Sequence, residues 1–261
     1  MVMAIDELKK ATIRDFIKSG KRIDGRNFDE YRQITVKKGA IGVAEGSADV
    51  TIGKSRVIAG VKTEVVTPFS DRPNEGTLTF GADFLPMAHE TFEPGPPRVE
   101  SIELARVVDR GIRAAEAIDL KSMFIEEGKV WGVYVDIYVI DHDGNLLDTA
   151  AMAATAALQS LELPEYRDGK IIREERTPKK LLDVPTYCTF VKIGDKLVLD
   201  PLYSEEIVAD ARITFCVGDD NMYAIQKAGS GAFTKEEVLS MLDKSFVLRK
   251  ELLSFITAET P

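Results

Sequence analysis

The sequence predicts an α+β fold made of two similar β-rich lobes, each backed by helices. Three observations support this prediction. The 261-residue chain is 44% apolar, which is enough for a sizeable core. Strand-like runs separated by tight turns fill much of the first half and return in the second half. Longer runs with apolar residues at helical spacing lie before, between and after them.

Apolar spacing and turn residues place the elements of the first lobe. Strands are predicted at 34–37, 46–52, 55–66, 77–86 and 130–141. Helices are predicted at 1–18, 100–120 and 149–161. Asp148 stands where it can cap the third helix, whose many alanines allow it to lie close to a neighbouring backbone. Residues 89–98 hold three prolines and a glycine, which excludes regular structure.

The second lobe repeats the strand pattern. Residues 185–200 and 209–229 each read as a hairpin with a polar turn in the middle. Thr234 and Glu237 have the spacing of a capping box, which opens a last helix that runs to about Phe255.

A charged, proline-containing segment after residue 161 indicates a linker between the lobes. The sequence is therefore divided into an N-terminal helix, a first lobe, a linker, a second lobe and a tail. Their predicted bounds are 1–20, 21–161, 162–183, 184–256 and 257–261.

Composition narrows the classes of function. The net charge is −9, so any contact with nucleic acid needs a local cationic patch. No run approaches about 18 uncharged apolar residues and the N-terminus lacks a long apolar segment, so we expect a cytoplasmic protein, neither secreted nor bound to a membrane. Cys188 and Cys216 lie in strand-like apolar runs and are expected to be buried thiols. No zinc spacing is present, and neither a metal nor a cofactor is predicted.

A group of arginines is the most informative local feature. Arg106, Arg110 and Arg113 are spaced by four and three residues, which puts them on one face of the 100–120 helix. One interpretation is a solvated face on which Asp109 and Glu103 are ion-pair partners. The other is a surface that grips phosphates, because a planar guanidinium suits bidentate contact.

Other polar residues leave alternatives open. His89 and His142 are possible general bases, but neither has a Ser or Cys partner in a nucleophile setting. An acidic group in the second lobe is either a solvated loop or a site for Mg²⁺ or acid catalysis. Its members are Asp200, Glu205, Glu206 and Asp210. The residues alone do not define a reaction.

Several stretches together resemble the RNase PH family, over roughly residues 20 to 250. They are KRIDGRNFDEYRQITV, GSADVTIGKSRVIAGVKTEV, ESIELARVVDRGIR, VDIYVIDHDGNLLDTAAMAATAAL and VADARITFCV. The N-terminal helix before GKRIDGR, the KTEVVTPFSDRPNEG loop and RVVDR are most similar to the non-catalytic RNase PH-like subunits of the archaeal exosome. The resemblance implies a β-α-β-α fold and a hexameric ring of three heterodimers with a catalytic RNase PH-like sister subunit. It also implies RNA-binding cap proteins and RNA as partners.

Departures from the family pattern predict that the chain is not itself a catalyst. In catalytic members an arginine pair grips phosphate just before the second helix, where this chain has Val99 and Glu100, with only Arg98 nearby. A phosphate-binding turn of the family corresponds to residues 145–147, which offer no cation and no hydroxyl. Asp210 matches the second of two family acidic residues and is interpreted as a relic. Because phosphoryl chemistry depends on positioning and charge neutralisation, we expect no turnover.

The resemblance also assigns a role to the arginines. Arg106 and Arg110 resemble positions at which the non-catalytic subunit reaches across the dimer interface to RNA in the sister's site. Arg113 shares their face, and Arg72 lies in the 67–76 loop, which faces the channel or an interface. RNA binding is therefore predicted for these four arginines.

Two alternatives to this prediction remain. The chain could be a self-sufficient RNase PH-like phosphorolytic exoribonuclease that uses Arg98 and Asp210. It could instead be a purely structural ring scaffold, with its arginines paired to carboxylates of the sister subunit.

Overall fold

The computed structural model describes residues 2–258, with side chains from residue 7 onward. The helices are α1 (Val2–Lys18), α2 (Val99–Ala114), α3 (Leu146–Gln159), α4 (Tyr203–Val208) and α5 (Lys235–Thr257). The strands are β1 (Ile34–Lys38), β2 (Gly46–Ile52), β3 (Ser55–Val66), β4 (Thr77–Phe84), β5 (Phe124–Glu126), β6 (Lys129–Asp141), β7 (Glu162–Arg167), β8 (Lys170–Pro178), β9 (Thr186–Ile193), β10 (Lys196–Leu199), β11 (Ala211–Val217) and β12 (Met222–Ala228). Each helix within these residues is too short or too polar to cross a membrane.

Two sheets form the two lobes. The first has the order β1-β2-β3-β6-β4, with β5 also paired to β6. Its pairs are antiparallel except for β4 with β6, which is parallel. The second sheet is antiparallel, in the order β10-β9-β11-β12. The predicted α+β fold with two β-rich lobes is confirmed.

Helix α3 lies between the two sheets. It contacts β2 and β3 on one side and β9 on the other, and Leu146–Leu158 are all buried. Gly46 on β2 shows how close the approach is, because a Cβ there would clash with the carbonyl oxygen of Ala157. The close approach expected of the alanine-rich helix is confirmed. The N-terminus of α3 is consequently held where the two lobes meet.

Helix α2 is shorter than predicted. It ends at Ala114, and Glu116 has a left-handed backbone with φ of 47°. Beyond this turn, Leu182 N–H donates to Ala117 O at 2.8 Å, so the chain packs against the segment that enters the second sheet. Ile118 is buried by this turn and not by a continued helix. Helix α2 itself contacts β4 and β12, the edge strands of the two sheets.

The segment predicted to be a linker contains a two-stranded hairpin. Strands β7 and β8 pair with each other, with an irregularity beside Pro164. Arg173 forms an ion pair with the buried Glu45, and Arg176 donates to Ala44 O at 3.1 Å. These contacts fasten the hairpin to the first lobe, and the predicted lobe bounds stay a prediction. Residues 259–261 of the predicted tail lie outside the described residues.

The helices around the second sheet agree with the sequence in part. The apolar side predicted for α1 is only half packed, since Ile13 and Ile17 are buried whereas Leu8 and Phe16 are exposed. The capping box that opens α5 is present, with Thr234 and Glu237 exchanging hydrogen bonds. Helix α4 has only six residues and was not predicted from the sequence.

The two cysteines are buried, as the sequence indicates. Burial raises the pKa of the Cys216 thiol to about 12 and that of Cys188 further still. Both side chains therefore act as small apolar groups in the core of the second sheet.

Candidate functional site

Three arginines of α2 point out of the fold, as predicted. Arg106, Arg110 and Arg113 are exposed, whereas Val108 and Ile112 on the opposite side are buried. The three arginines line one open depression of about 520 Å³. We call these three side chains the arginine face.

The members of the arginine face differ in how firmly they are held. Arg113 Nη2 donates to Asp109 Oδ1 at 2.6 Å and to Leu78 O on β4 at 2.9 Å. Arg110 Nη1 donates to Gln226 Oε1 on β12 at 3.1 Å. Arg106 makes no hydrogen bond and no ion pair with any residue that the structure describes. Arg106 is thus the most available of the three, and Arg113 the least.

Arg72 lies at the far end of this surface. Its side chain is 61% exposed and its nearest acidic partner, Asp71, is 3.8 Å away. Arg72, Arg113 and Lys121 line a cavity of about 560 Å³ next to the end of α2. Three carboxylates line the same cavity and balance these charges: Glu75, Glu116 and Asp119. The structure therefore brings Arg72 near Arg113 but does not make a strongly cationic site there.

A second cavity, of about 190 Å³, lies at the N-terminus of α3. We call it the α3 pocket. Its apolar and aromatic lining is Leu146, Leu147, Leu104, Phe84, Phe92 and His142. Its charged lining is Glu100, Glu103, Glu206 and Arg212. Three carboxylates thus face one guanidinium, which is the reverse of what an anion-binding pocket needs.

Glu206 contacts the start of α3 in this pocket. Its Oε1 accepts a hydrogen bond of 3.0 Å from the N–H of Asn145, the residue that caps α3. Asn145 has a left-handed backbone, with φ of 52°, and its own side chain does not cap the helix. Burial raises the pKa of Glu206 to about 7, against the opposing attraction of Arg212.

The position of Glu206 is set by neighbours that hold α4. Glu205 is fully buried and paired with Arg22, with 2.6 Å between Glu205 Oε2 and Arg22 Nη2. Tyr203 N–H donates to Asp143 O at 3.1 Å. Gly144 is required at this junction, since a Cβ would collide with the backbone of α4. Helix α4 is therefore clamped against the turn that precedes α3.

Asp200 forms a second clamp between the lobes. Its Oδ1 accepts from Arg32 Nη2 and from Asn145 Nδ2, both at 2.8 Å, and its Oδ2 accepts from Arg26 at 2.9 Å. Burial acts to raise the pKa of Asp200, but the hydrogen bonds and charge of Arg32 hold it below its ordinary value. Asp200 and Glu205 are therefore buried and do not belong to a solvated loop, which was one of the two interpretations of this acidic group. Within residues 2–258, no three His, Cys, Asp or Glu side chains are grouped to hold a metal ion.

Asp210 does not lie in the α3 pocket. Its carboxylate accepts from Gly194 N at 2.7 Å and from Arg14 Nη2 at 3.1 Å. The hydrogen bond from Gly194, together with Arg14, lowers its pKa. The interpretation of Asp210 as a relic of the family's acidic site stays a prediction, and Glu206 is the carboxylate of this segment that lines the pocket.

The prediction that Asp148 caps α3 is wrong. It is the third residue of the helix, and it is buried. It accepts hydrogen bonds from Tyr31, Asn145 and Thr189, and burial raises its pKa to about 6. Its role is to join α3 to β9, which carries Thr189.

The start of α2 differs from the expectation, which placed Val99 and Glu100 just before the helix, whereas the structure has both in its first turn. Arg98 precedes the helix and forms an ion pair with Glu93. Val99 begins the helix and is 76% exposed. Glu100 follows and lines the α3 pocket. No unpaired cation from this segment reaches the pocket among the described residues.

The two histidines meet in an aromatic cluster beside the α3 pocket. His142 stacks on Phe92 at 5.5 Å, and the ring of His89 is 5.2 Å from it. Burial lowers the pKa of His142 to about 4, which leaves it neutral at neutral pH. The cluster packs the proline-rich loop 89–98 onto the first lobe.

Comparison with known proteins defines the class. The models of the 3′ exoribonuclease family match this chain at residues 30–164 for domain 1 and 183–247 for domain 2. The chain belongs to this family, the RNase PH family that its sequence resembles.

Relatives with similar sequences are archaeal. The Exosome complex component Rrp42 of Thermococcus gammatolerans is 45% identical, over 94% of this chain and 93% of its own length. The protein of the same name from Methanothermobacter thermautotrophicus is 41% identical, over 97% of this chain and 95% of its own length.

Solved structures agree with the sequence relatives. A chain of the Archaeoglobus fulgidus exosome with RNA bound to the active site has a TM-score of 0.91 and 40% identity, covering 96% of this chain and 98% of its own. A chain of an archaeal exosome core has a TM-score of 0.87 and 37% identity, covering 98% of each chain.

Proposed function

We propose that this chain is a non-catalytic subunit of an archaeal exosome ring in the cytoplasm. In this role it alternates with a catalytic RNase PH-like sister subunit, as three heterodimers, beneath RNA-binding cap proteins. It structures the sister's active site and binds RNA during phosphate-dependent 3′-to-5′ degradation. The relatives' names and the exosome structures that resemble it support this assembly.

The exposed arginine face carries the proposal. Arg106 and Arg110 lie one helical turn apart on a protein whose net charge is −9, so they provide local attraction that the overall charge does not. Guanidinium groups bind the RNA backbone without reading its sequence, which suits a degradative complex. Arg113 and Arg72 extend the surface, although Arg113 is already tied to Asp109 and β4.

The α3 pocket supports the non-catalytic part of the proposal. Its three carboxylates and single guanidinium oppose the binding of inorganic phosphate, the nucleophile of phosphorolysis. Because phosphoryl transfer depends on positioning and charge neutralisation, a pocket of this charge does not support turnover.

The test is a double charge reversal in the assembled ring. We expect Arg106→Glu with Arg110→Glu to weaken binding of a fluorescent single-stranded RNA by about ten-fold or more, because two phosphate contacts become repulsive. Native mass spectrometry should show an unchanged ring. Reversal of two exposed cations of the β7–β8 hairpin, Arg167→Glu with Lys170→Glu, makes the same change in net charge and should leave RNA affinity nearly unchanged.

Two results would contradict the proposal. Equal RNA affinity of the wild-type and Arg106→Glu/Arg110→Glu rings would favour a pure scaffold. Release of nucleoside diphosphates from RNA by the isolated chain would favour a self-sufficient phosphorolytic enzyme.

A further inference from the structure

We propose that Glu206 determines what the α3 pocket rejects: its carboxylate is an internal anion that occupies the N-terminal end of α3 and excludes inorganic phosphate. The inference rests on the proposed function. It names the residue that closes the pocket of a subunit that does not itself cleave RNA.

The argument begins with the helix terminus. The first backbone N–H groups of a helix lack intrahelical acceptors and carry a partial positive charge, so they attract an anion or a capping side chain. Helix α3 has 14 residues, and its cap residue Asn145 makes no side-chain capping bond. Glu206, 61 positions along the chain, lies at this end of the helix, and its carboxylate accepts the N–H of the cap residue Asn145 at 3.0 Å.

The carboxylate is held there by the rest of α4. Glu205 anchors the helix through its buried pair with Arg22 and also accepts from Leu202 N at 2.8 Å. The hydrogen bond from Tyr203 N to Asp143 O joins the start of α4 to the turn before α3. These bonds fix the backbone of α4 beside the start of α3, so the carboxylate of Glu206 stays within reach of the Asn145 N–H.

The cations around the pocket, among the described residues, already interact with carboxylates and are not available to a second anion. The only guanidinium that lines the pocket, among the described residues, is Arg212 on β11. It lies 3.9 Å from Glu103 of α2 and attracts Glu206 as well. Arg32 also attracts Glu206, but it is already paired with Asp200. Across the pocket, Glu100 repels anions, and His142 is uncharged at neutral pH.

The test removes the internal anion and offers inorganic phosphate in its place. The wild-type chain and Glu206→Ser are heated in phosphate and in chloride of equal ionic strength, at pH 8, which is above the pKa of about 7 of Glu206, so that its carboxylate is ionised. At about 50 mM phosphate we expect a phosphate-specific rise in Tm on the order of 3 °C for Glu206→Ser and none for wild type. Isothermal titration calorimetry of the same proteins with phosphate should show heat of binding for the variant only.

Two further variants identify the cause. Glu206→Gln keeps the volume but removes the charge, so it should bind phosphate more weakly than Glu206→Ser and more tightly than wild type. Glu100→Ser removes a carboxylate that lines the same pocket but makes no bond to α3, so it should behave like wild type. A Glu100→Ser response equal to that of Glu206→Ser would mean that general repulsion, not this residue, excludes phosphate.

The remaining outcomes separate this inference from the proposed function. Phosphate binding by the wild-type chain, or none by Glu206→Ser and Glu206→Gln, overturns the inference and leaves the RNA-binding role standing. Phosphorolysis of RNA by the isolated wild-type chain overturns the proposed function itself.

Discussion

The arginine face and the α3 pocket are built on the same helix and differ in charge. Helix α2 contributes Glu100 and Glu103 to the pocket in its first two turns, and Arg106 and Arg110 to the outer surface in the next two. This order places acidic groups near the N-terminus of the helix and basic groups nearer the C-terminus, which the helix dipole favours. One amphipathic helix thus carries carboxylates at one end and guanidinium groups further along.

The second lobe completes both regions. Strand β12 provides Gln226 to the arginine face, and β11 with α4 provides Arg212 and Glu206 to the α3 pocket. The two regions differ in how deeply they depend on that lobe. The pocket requires a buried clamp between the lobes. The arginine side chains themselves meet the second lobe, among the described residues, through the surface hydrogen bond of Arg110 to Gln226. The helix that carries them is joined to that lobe by Tyr187, whose hydroxyl donates to Val108 O at 2.7 Å. Variants of the clamp should therefore disturb the pocket and spare the arginine face.

The largest expected effect comes from breaking the clamp at Glu205. Glu205→Ala leaves the guanidinium of Arg22 buried without its partner, and we expect the free energy of unfolding to fall by about 3–5 kcal/mol. Chemical denaturation measures this loss. Glu174→Ala, at an exposed position of β8, is the control and should change stability by less than about 0.5 kcal/mol. Below the unfolding transition, the Glu205→Ala ring should keep most of its RNA affinity, and a large loss of affinity would show that the two regions are not independent.

The strands that form a continuous alternating pattern could be predicted from the sequence. Strands β2 and β3 begin and end where the period of two and the turn at Gly53 place them. Helix α4 could not be predicted from the sequence, because six residues are too few for a helical period to appear. The Pro201 that precedes it and the adjacent Glu205 and Glu206 are the local signals that could have indicated a short helix.

The candidate site, like the fold, could be predicted from the sequence only in part. Helical spacing alone predicts that the three arginines share one face. It does not predict that Arg113 is held by Leu78 O while Arg106 has no partner among the described residues, because that depends on which strand edge lies beside the helix. The contact between Glu206 and Asn145 also joins residues that are remote in the sequence. The local sequence pattern therefore predicts which residues share the exposed face of a helix, but not which residues pack around that helix.

A smaller effect is expected on the pH dependence of the free energy of unfolding, through Glu206 in the α3 pocket. Burial raises the pKa of Glu206 to about 7 in the folded protein, from 4.5. Between these values the folded protein holds a proton that the unfolded chain has lost, so stability falls as pH rises through this window. We expect the free energy of unfolding of wild type, minus that of Glu206→Gln, to decrease by up to about 3 kcal/mol from pH 4.5 to 8.

Subtracting the free energy of unfolding of Glu206→Gln separates the effect of Glu206 from that of the neighbouring His142. Burial lowers the pKa of His142 from 6.5 to about 4, so its contribution acts in the opposite direction and is lost as pH falls through that range. Both proteins keep His142, and the difference between them cancels its contribution. Denaturant titrations at five or more pH values measure the difference, and a flat profile would contradict a buried carboxylate at this position.

The smallest effect belongs to the arginine face and tests the hydrogen bond that joins Arg110 to the second lobe. Gln226 accepts from Arg110 at 3.1 Å, and its amide nitrogen lies 3.4 Å from Glu103 Oε1. Gln226→Ala should let the Arg110 side chain move freely and weaken RNA binding by about two- to five-fold, because ordering a freed side chain on binding costs on the order of 1 kcal/mol. A double-mutant cycle decides whether the effect passes through Arg110. If it does, Gln226→Ala has no effect on a ring that already carries Arg110→Ala, whereas equal losses in both backgrounds would mean that Gln226 acts on RNA by another route.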